Sequence, residues 1–201
     1  MDRLDRYAKS IAVLSGPGLV AVDGVDGSGK TTFALKLAAA VERAGRRCFV
    51  VHEDDFLAPR AARYSLGRDS PEGFFRDTYD LDSLVRNVLD PLGPDGDRRV
   101  RRRIFDHRRD APVDGPVEEM PTDCVVIVEG MFLHRDQLVD RWDWSIFLDV
   151  PFAETARRMA ERDGTSPDPD DPSMRRYVEG QRMYLETCMP RERASVLVDN
   201  T

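Results

Sequence analysis

The chain has 201 residues, of which 41% are hydrophobic and 33% are charged, and its formal net charge is −7. This length suits one α/β domain, residues 1–201, with a substantial core, and the composition excludes a disordered chain. A nucleic acid is not the expected partner, because nucleic-acid-binding proteins usually carry a basic excess.

The sequence also carries information about location. Its three cysteines, Cys48, Cys124 and Cys188, are widely spaced and form no C-x-x-C pair, so we expect reduced structural thiols. No apolar run approaches the roughly 20 residues that cross a bilayer, and residues 1–6 lack the apolar segment of a signal peptide. We therefore predict a cytoplasmic protein without a membrane partner. A homo-oligomer is compatible with the sequence.

The first predicted elements lead to a glycine-rich turn. Apolar residues at helical spacing predict a short helix over 3–14, and the apolar run 19–22 predicts a buried strand. Strong helix formers predict a second helix from Phe33 to about Ala44. The turn between this strand and this helix, residues 24–31, fits G-x-x-x-x-G-K-[ST] at every fixed position.

This turn predicts a phosphate-binding loop, or P-loop. Successive backbone N–H groups can converge on phosphate oxygens there, and the helix N-terminus adds partial positive charge. Lys30 would reach the β- and γ-phosphates, and the Thr31 hydroxyl would bind Mg²⁺. The predicted ATP-binding residues are Gly24, Asp26, Gly27, Ser28, Gly29, Lys30, Thr31 and Thr32. The alternative is an ordinary strand-to-helix turn, which the complete motif disfavours.

Strands and helices alternate through the rest of the chain. Further strands are predicted at 47–51, 124–128, 145–150 and 195–198, and further helices at 81–89, 151–161 and 174–186. This alternation predicts an α/β fold of the P-loop NTPase type, with a mostly parallel five-stranded sheet and helices on both faces. Ligands of such sheets bind beyond the carboxyl ends of the strands.

Acidic residues follow two of these strands. Glu129 ends the third strand, where we expect an acid that holds Mg²⁺ together with Thr31; the alternative is an unspecialised acid. Asp54 and Asp55 follow the second strand, and one of them could accept a proton from an attacking hydroxyl. The alternative for this pair is a solvated acidic turn or a helix cap.

Two segments outside the sheet are predicted to cover the site. Residues 57–120 would form a substrate loop, irregular up to Tyr79, and a small β-hairpin that contains the basic run 98–109. Residues 162–175 would form a proline-rich lid, with Arg158 and Arg162 available to the transferred phosphoryl group. The basic run could instead contact RNA, although a solvated hairpin is favoured.

The order of the motifs resembles that of the uridine kinase / nucleoside kinase family of P-loop kinases. Its relatives include phosphoribulokinase, pantothenate kinase and nicotinamide riboside kinase. The P-loop is followed by Asp54-Asp55-Phe56, then Tyr79-Asp80, then Val128-Glu129-Gly130, and the resemblance covers residues 19–200. Two features depart from uridine kinases: Leu81 stands where a histidine is usual, and the lid reads Glu161-Arg162-Asp163-Gly164 rather than E-R-G-R.

The resemblance implies specific roles. Asp54 would be the general base toward a ribose 5′-hydroxyl, Asp80 would bind the ribose 2′- and 3′-hydroxyls, and Glu129 would be the metal-associated acid. Arg158, Arg162 and Lys30 complete the catalytic set, and Phe56, Tyr79 and His107 complete the substrate-binding set.

The expected reaction is transfer of a phosphoryl group from ATP, with Mg²⁺, to a small molecule. A pyrimidine ribonucleoside, uridine or cytidine, is the leading acceptor, and nicotinamide riboside or another sugar-bearing alcohol is the alternative. A nucleotide-hydrolysing switch and an RNA-associated NTPase are alternatives of another class.

Overall fold

The computed structural model describes residues 2–201 and contains the predicted sheet. Its five parallel strands are β1 (Gly18–Gly24), β2 (Cys48–His52), β7 (Val125–Gly130), β8 (Trp144–Asp149) and β9 (Val196–Asp199). In the sheet they stand in the order β2-β7-β1-β8-β9. The α/β fold with a parallel five-stranded sheet is therefore confirmed.

Helices cover both faces of the sheet, as predicted. The longer helices are α1 (Arg3–Ala12), α2 (Lys30–Arg43), α7 (Phe152–Asp163) and α8 (Arg175–Cys188). Alternate residues of β1 face opposite sides: Val20 and Val22 pack with α1 and α2, whereas Leu19 and Ala21 pack against the segment that follows Asp80. That segment is a helical rod of α5 (Leu81–Leu84), a π-helical turn (Val85–Leu89) and α6 (Asp90–Leu92), so it ends three residues later than predicted.

The predicted irregular segment before Tyr79 is partly helical. It contains α3 (Arg60–Arg63) and α4 (Pro71–Asp77), two helices too short to produce a clear periodicity in the sequence. Tertiary contacts stabilise α4, which lies against α8 with the rings of Phe74 and Tyr177 edge to face, their centroids 5.1 Å apart.

The basic run forms two short antiparallel pairs rather than one continuous hairpin strand. The outer pair joins β3 (Arg99–Arg101) to β6 (Val117–Glu119), and the inner pair joins β4 (Phe105–Asp106) to β5 (Ala111–Pro112).

The chain ends with a short helix, α9 (Pro190–Arg193), before β9. None of the helices described for residues 2–201 combines the length and the hydrophobicity needed to span a lipid bilayer.

The close approach of α4 to α8 requires a glycine. A Cβ atom on Gly180 would lie 2.7 Å from the carbonyl oxygen of Pro71 and 2.9 Å from Phe74 Cδ1. We expect Gly180→Ala to lower the free energy of unfolding by about 1–3 kcal/mol, because the two helices must move apart. Urea denaturation followed by circular dichroism measures this change.

Gly73→Ala is the matched control, since Gly73 also lies within a helix but its added Cβ would make only ordinary contacts of 3.5 Å. It should be neutral or stabilising, because alanine favours a helix over glycine. Equal effects of the two substitutions would contradict the packing explanation.

Candidate active site

The P-loop joins β1 to α2 and is shaped by glycines. Gly27 and Gly29 have φ angles of +75° and +88°, a region that other residues rarely adopt. Gly29 directly precedes α2, so the helix N-terminus and its unpaired N–H groups face the loop. The Lys30 ammonium donates to the Val25 carbonyl oxygen at 2.9 Å, which places its charge over the loop.

A cavity of about 640 Å³ opens at the carboxyl edge of the sheet. It brings together most of the predicted phosphate, metal and base residues with the two predicted arginines. Its lining consists of Asp26, Gly27, Gly29, Lys30, Thr31, Thr32, Asp54, Tyr79, Glu129, Gly130, Met131, Arg158, Arg162 and Asp163.

The predicted metal residues are in contact. Thr31 Oγ1 donates to Glu129 Oε1 at 3.0 Å, and His52 Nδ1 lies 2.7 Å from the same oxygen. The hydrogen bond to Glu129 raises the pKa of His52 above its ordinary value. A hydroxyl and a carboxylate suit Mg²⁺, which commonly takes one or two protein ligands and completes its shell with phosphates and water. Within residues 2–201, no group of three or more histidine, cysteine, aspartate or glutamate side chains is arranged to hold a metal ion.

The structure distinguishes the two acids that follow β2. Asp54 is exposed in the cavity, and its Oδ1 accepts a hydrogen bond from the Tyr79 hydroxyl at 3.1 Å. Burial, together with the neighbouring Asp54 carboxylate, raises the pKa of Tyr79 well above its usual value, so the hydroxyl remains a donor. Asp55 instead lies 3.2 Å from Arg103 Nε and outside the cavity lining.

Two arginines of α7 line the cavity. Arg158 donates to the Glu154 carboxylate at 2.7 Å and to the Asn200 carbonyl oxygen at 3.0 Å. Arg162 lies 3.4 Å from the carboxylate of the P-loop residue Asp26.

Two other arginines have structural roles. The guanidinium of Arg157 pairs with Glu154 and Glu161 along its own helix. Arg176 is buried and donates to four backbone carbonyl oxygens, those of Arg63, Gly67, Arg68 and Ser70.

Several predicted site residues lie outside the cavity lining. Phe56 is fully buried in the core beneath the sheet and does not line the cavity, so its place in the substrate-binding set stays a prediction. Gly24 and Ser28 are also buried, and they support the loop from behind. The Ser28 carbonyl oxygen accepts a hydrogen bond from Asn200 Nδ2 at 2.8 Å.

The predicted ribose and base residues are also apart from the cavity. The Asp80 carboxylate caps α5, since its two oxygens accept hydrogen bonds from Ser83 N at 2.9 Å and from Ser83 Oγ at 2.7 Å. His107 is exposed in the turn between β4 and β5. The roles of these residues in binding an acceptor stay predictions.

Acidic side chains pair with part of the basic run. Arg98 pairs with Glu119, Arg101 with Asp114, Arg102 with Glu118 and Arg103 with Asp55. These pairs hold the antiparallel segments together and neutralise four of the seven arginines of the run, which is what we expect of a solvated hairpin.

The sequence analysis did not predict a cluster of five buried polar residues behind the P-loop. Asp23, Glu53, His134, Arg135 and Tyr184 are each more than nine-tenths buried. Burial raises the pKa of Glu53 well above its ordinary value. The available signal was Asp23, a charged residue that directly follows the apolar run 19–22 within β1.

His52 and Asn200 were missed as well. His52 stands beside Glu129 in the register of β2 and β7, and Asn200 follows the last strand. Both contacts depend on strand order, which no local pattern reveals.

Comparisons with known proteins agree with this geometry. The family model described as the phosphoribulokinase / uridine kinase family matches residues 19–166. A uridine kinase of Leuconostoc citreum is 30% identical over 158 residues, covering 73% of this chain and 69% of its own length. Nicotinamide riboside kinase 1 of Homo sapiens is 28% identical over 171 residues, covering 84% of this chain and 75% of its own.

A solved structure is also similar. A protein described as a "possible uridine kinase" from Bacillus stearothermophilus superimposes with a TM-score of 0.77 at 26% identity, over 98% of each chain. The family model matches most of the chain, and the P-loop, Glu129 and Asp54 line one cavity. This chain therefore belongs to the phosphoribulokinase / uridine kinase family of P-loop kinases.

Proposed function

We propose that this kinase transfers the γ-phosphoryl group of ATP to the 5′-hydroxyl of a pyrimidine ribonucleoside such as uridine or cytidine. The observation that carries the proposal is the exposed Asp54 carboxylate, which shares one cavity with Lys30 and the Thr31–Glu129 pair. A small hydroxyl acceptor that enters this cavity meets a base and a phosphate-binding loop together. A nucleotide-hydrolysing switch would not require that base.

The phosphate side of the reaction rests on the P-loop. Backbone N–H groups of the loop and the N-terminus of α2 would bind the β- and γ-phosphates, with Lys30 beside them. Thr31 and Glu129 would hold Mg²⁺, which, when bound, neutralises charge on the β- and γ-phosphate oxygens.

Asp54 would act as the general base. As the acceptor oxygen bonds to the γ-phosphorus and the bond to the β–γ bridging oxygen breaks, the hydroxyl proton passes to the Asp54 carboxylate. The Tyr79 hydroxyl, 3.1 Å from Asp54 Oδ1, would orient this carboxylate toward the acceptor.

Arg158 and Arg162 would stabilise charge on the transferred group, because both line the cavity at its phosphate end. Arg162 would exchange its contact with Asp26 for the phosphate, as expected if the predicted lid, residues 162–175, closes over the nucleotide.

Binding of the acceptor by Asp80 and His107 requires a change from the structure described here. Asp80 would turn from Ser83 toward the ribose 2′- and 3′-hydroxyls, and His107 would approach the base when the segment 57–120 closes.

Nicotinamide riboside is a second candidate acceptor. Its nicotinamide ring is cationic, and the carboxylates of Asp26, Asp54, Glu129 and Asp163 line the cavity. Opposite charge would favour this acceptor over an anionic one such as pantothenate.

The role of Asp54 can be tested directly. We expect Asp54→Asn to lower kcat by about 10²–10⁴-fold with little change in the KM for ATP, because the amide cannot accept the proton. An ADP-release assay with Mg-ATP and the acceptor measures both constants.

Asp55→Asn is the matched control, since Asp55 is the adjacent acid and lies outside the cavity lining. It should keep turnover near that of the wild type. An Asp54→Asn enzyme with near wild-type turnover would remove the general-base assignment.

The acceptor can be identified by a substrate panel. We expect ADP release with Mg-ATP to rise strongly on addition of uridine or cytidine, and not on addition of pantothenate. Nicotinamide riboside belongs in the same panel. Turnover with nicotinamide riboside alone would leave the proposed mechanism in place and replace the proposed acceptor. No turnover with any of the four compounds would contradict the proposed acceptor class.

A further inference from the structure

A buried carboxylate stands immediately before the P-loop. Asp23 is fully buried in β1 and precedes Gly24, the first residue of the loop. Its Oδ1 accepts a hydrogen bond from Gly24 N at 2.6 Å. Its Oδ2 lies 3.2 Å from His134 N and 2.7 Å from His134 Nδ1, and accepts a hydrogen bond from the Tyr184 hydroxyl.

These hydrogen bonds offset the free-energy cost of burying the Asp23 carboxylate. A carboxylate that leaves water costs several kcal/mol unless other groups replace its hydration. Four donors do so here, without an arginine or a lysine within ion-pair distance of Asp23 in the described part of the chain. An ionised carboxylate can only accept hydrogen bonds, so the contact with Asp23 selects the His134 tautomer that has its N–H at Nδ1.

The network connects three parts of the site. Asp23 reaches the P-loop through Gly24, His134 belongs to the loop after the strand that ends with Glu129 and Gly130, and Tyr184 lies on α8, which follows the predicted lid. The His134 backbone N–H also donates to the Tyr184 hydroxyl oxygen at 3.0 Å, so the three residues contact one another.

The same helix contacts the P-loop a second time. Gln181, one turn before Tyr184 on α8, accepts a hydrogen bond from Asp26 N through its Oε1 at 2.5 Å. Its Nε2 donates to the Tyr177 carbonyl oxygen at 2.9 Å, which fixes the orientation of the amide. Helix α8 therefore restrains the loop at Gly24, through Asp23, and at Asp26.

We propose that Tyr184 and Asp23 are positioning residues for the nucleotide: through Gly24 they hold the P-loop in the conformation that binds phosphate. They act without touching the nucleotide, since both are buried and neither lines the cavity. This role concerns the nucleotide site alone and is independent of which acceptor the enzyme uses.

The test compares two tyrosine-to-phenylalanine substitutions in α8 of the full chain. Tyr184→Phe removes the hydroxyl that binds Asp23, and we expect Mg-ADP to bind about fivefold to tenfold more weakly, since a hydrogen bond to a charged group is lost. Tyr177→Phe is the control, because Tyr177 also lies on α8 with its ring packed against Phe74, and no hydrogen bond of its hydroxyl is seen within residues 2–201. It should bind Mg-ADP like the wild type.

Two measurements separate positioning from plain stabilisation. Isothermal titration calorimetry gives the Kd for Mg-ADP, and thermal unfolding without nucleotide gives Tm. A Tyr184→Phe protein with a lower Tm and an unchanged Kd would overturn the proposal, and so would equal Kd values for all three proteins.

A second variant covers the case in which Tyr184→Phe does not fold. Asp23→Asn keeps the volume and one oxygen acceptor for Gly24 N but loses the charge, and it should weaken Mg-ADP binding by at least about tenfold. An unchanged Kd here also overturns the proposal. Because ADP binding needs no acceptor, failure of the proposed nucleoside specificity would leave this test unaffected.

Discussion

The parallel register of the sheet is the constraint on which the site depends. In β1 and β7, Val22 stands opposite Glu129, and in β2 and β7, His52 stands opposite the same residue. Because the strands run in one direction, the residues that follow them meet at one edge of the sheet. The P-loop, Glu129 and Asp54 stand at the ends of three different strands, and the parallel register brings them into one cavity.

Concentrating acids at one edge creates repulsion, and the fold places these acids in different environments. Glu129 receives hydrogen bonds from Thr31 and His52, Asp55 pairs with Arg103, and Asp23 receives four donors. Glu53 is buried, and desolvation raises its pKa. Asp54 stays exposed in the cavity with the Tyr79 hydroxyl as its donor, and such a carboxylate is suited to accept a proton from a substrate.

The acceptor side is organised by polar contacts between distant segments. Asp110, in the turn between β4 and β5, accepts hydrogen bonds from the Arg60 backbone and the Arg63 side chain. Arg176, from α8, donates to four carbonyl oxygens of residues 63–70. Such contacts hold the short helices α3 and α4 against the sheet domain, and they connect the segment that would bind an acceptor to the helix that follows the lid.

Local patterns in the sequence determined the strands, the long helices, the P-loop and the order of the acidic motifs. Each of these is encoded within a few consecutive residues, by apolar periodicity or by the dihedral freedom of glycine. Tertiary structure decided the rest. Phe56 became a core residue, Asp80 became a helix cap, Asp54 rather than Asp55 faced the cavity, and Asp23 gained Tyr184 as a donor from 161 residues away. These outcomes depend on strand order and on packing between distant segments, which no window of the sequence contains.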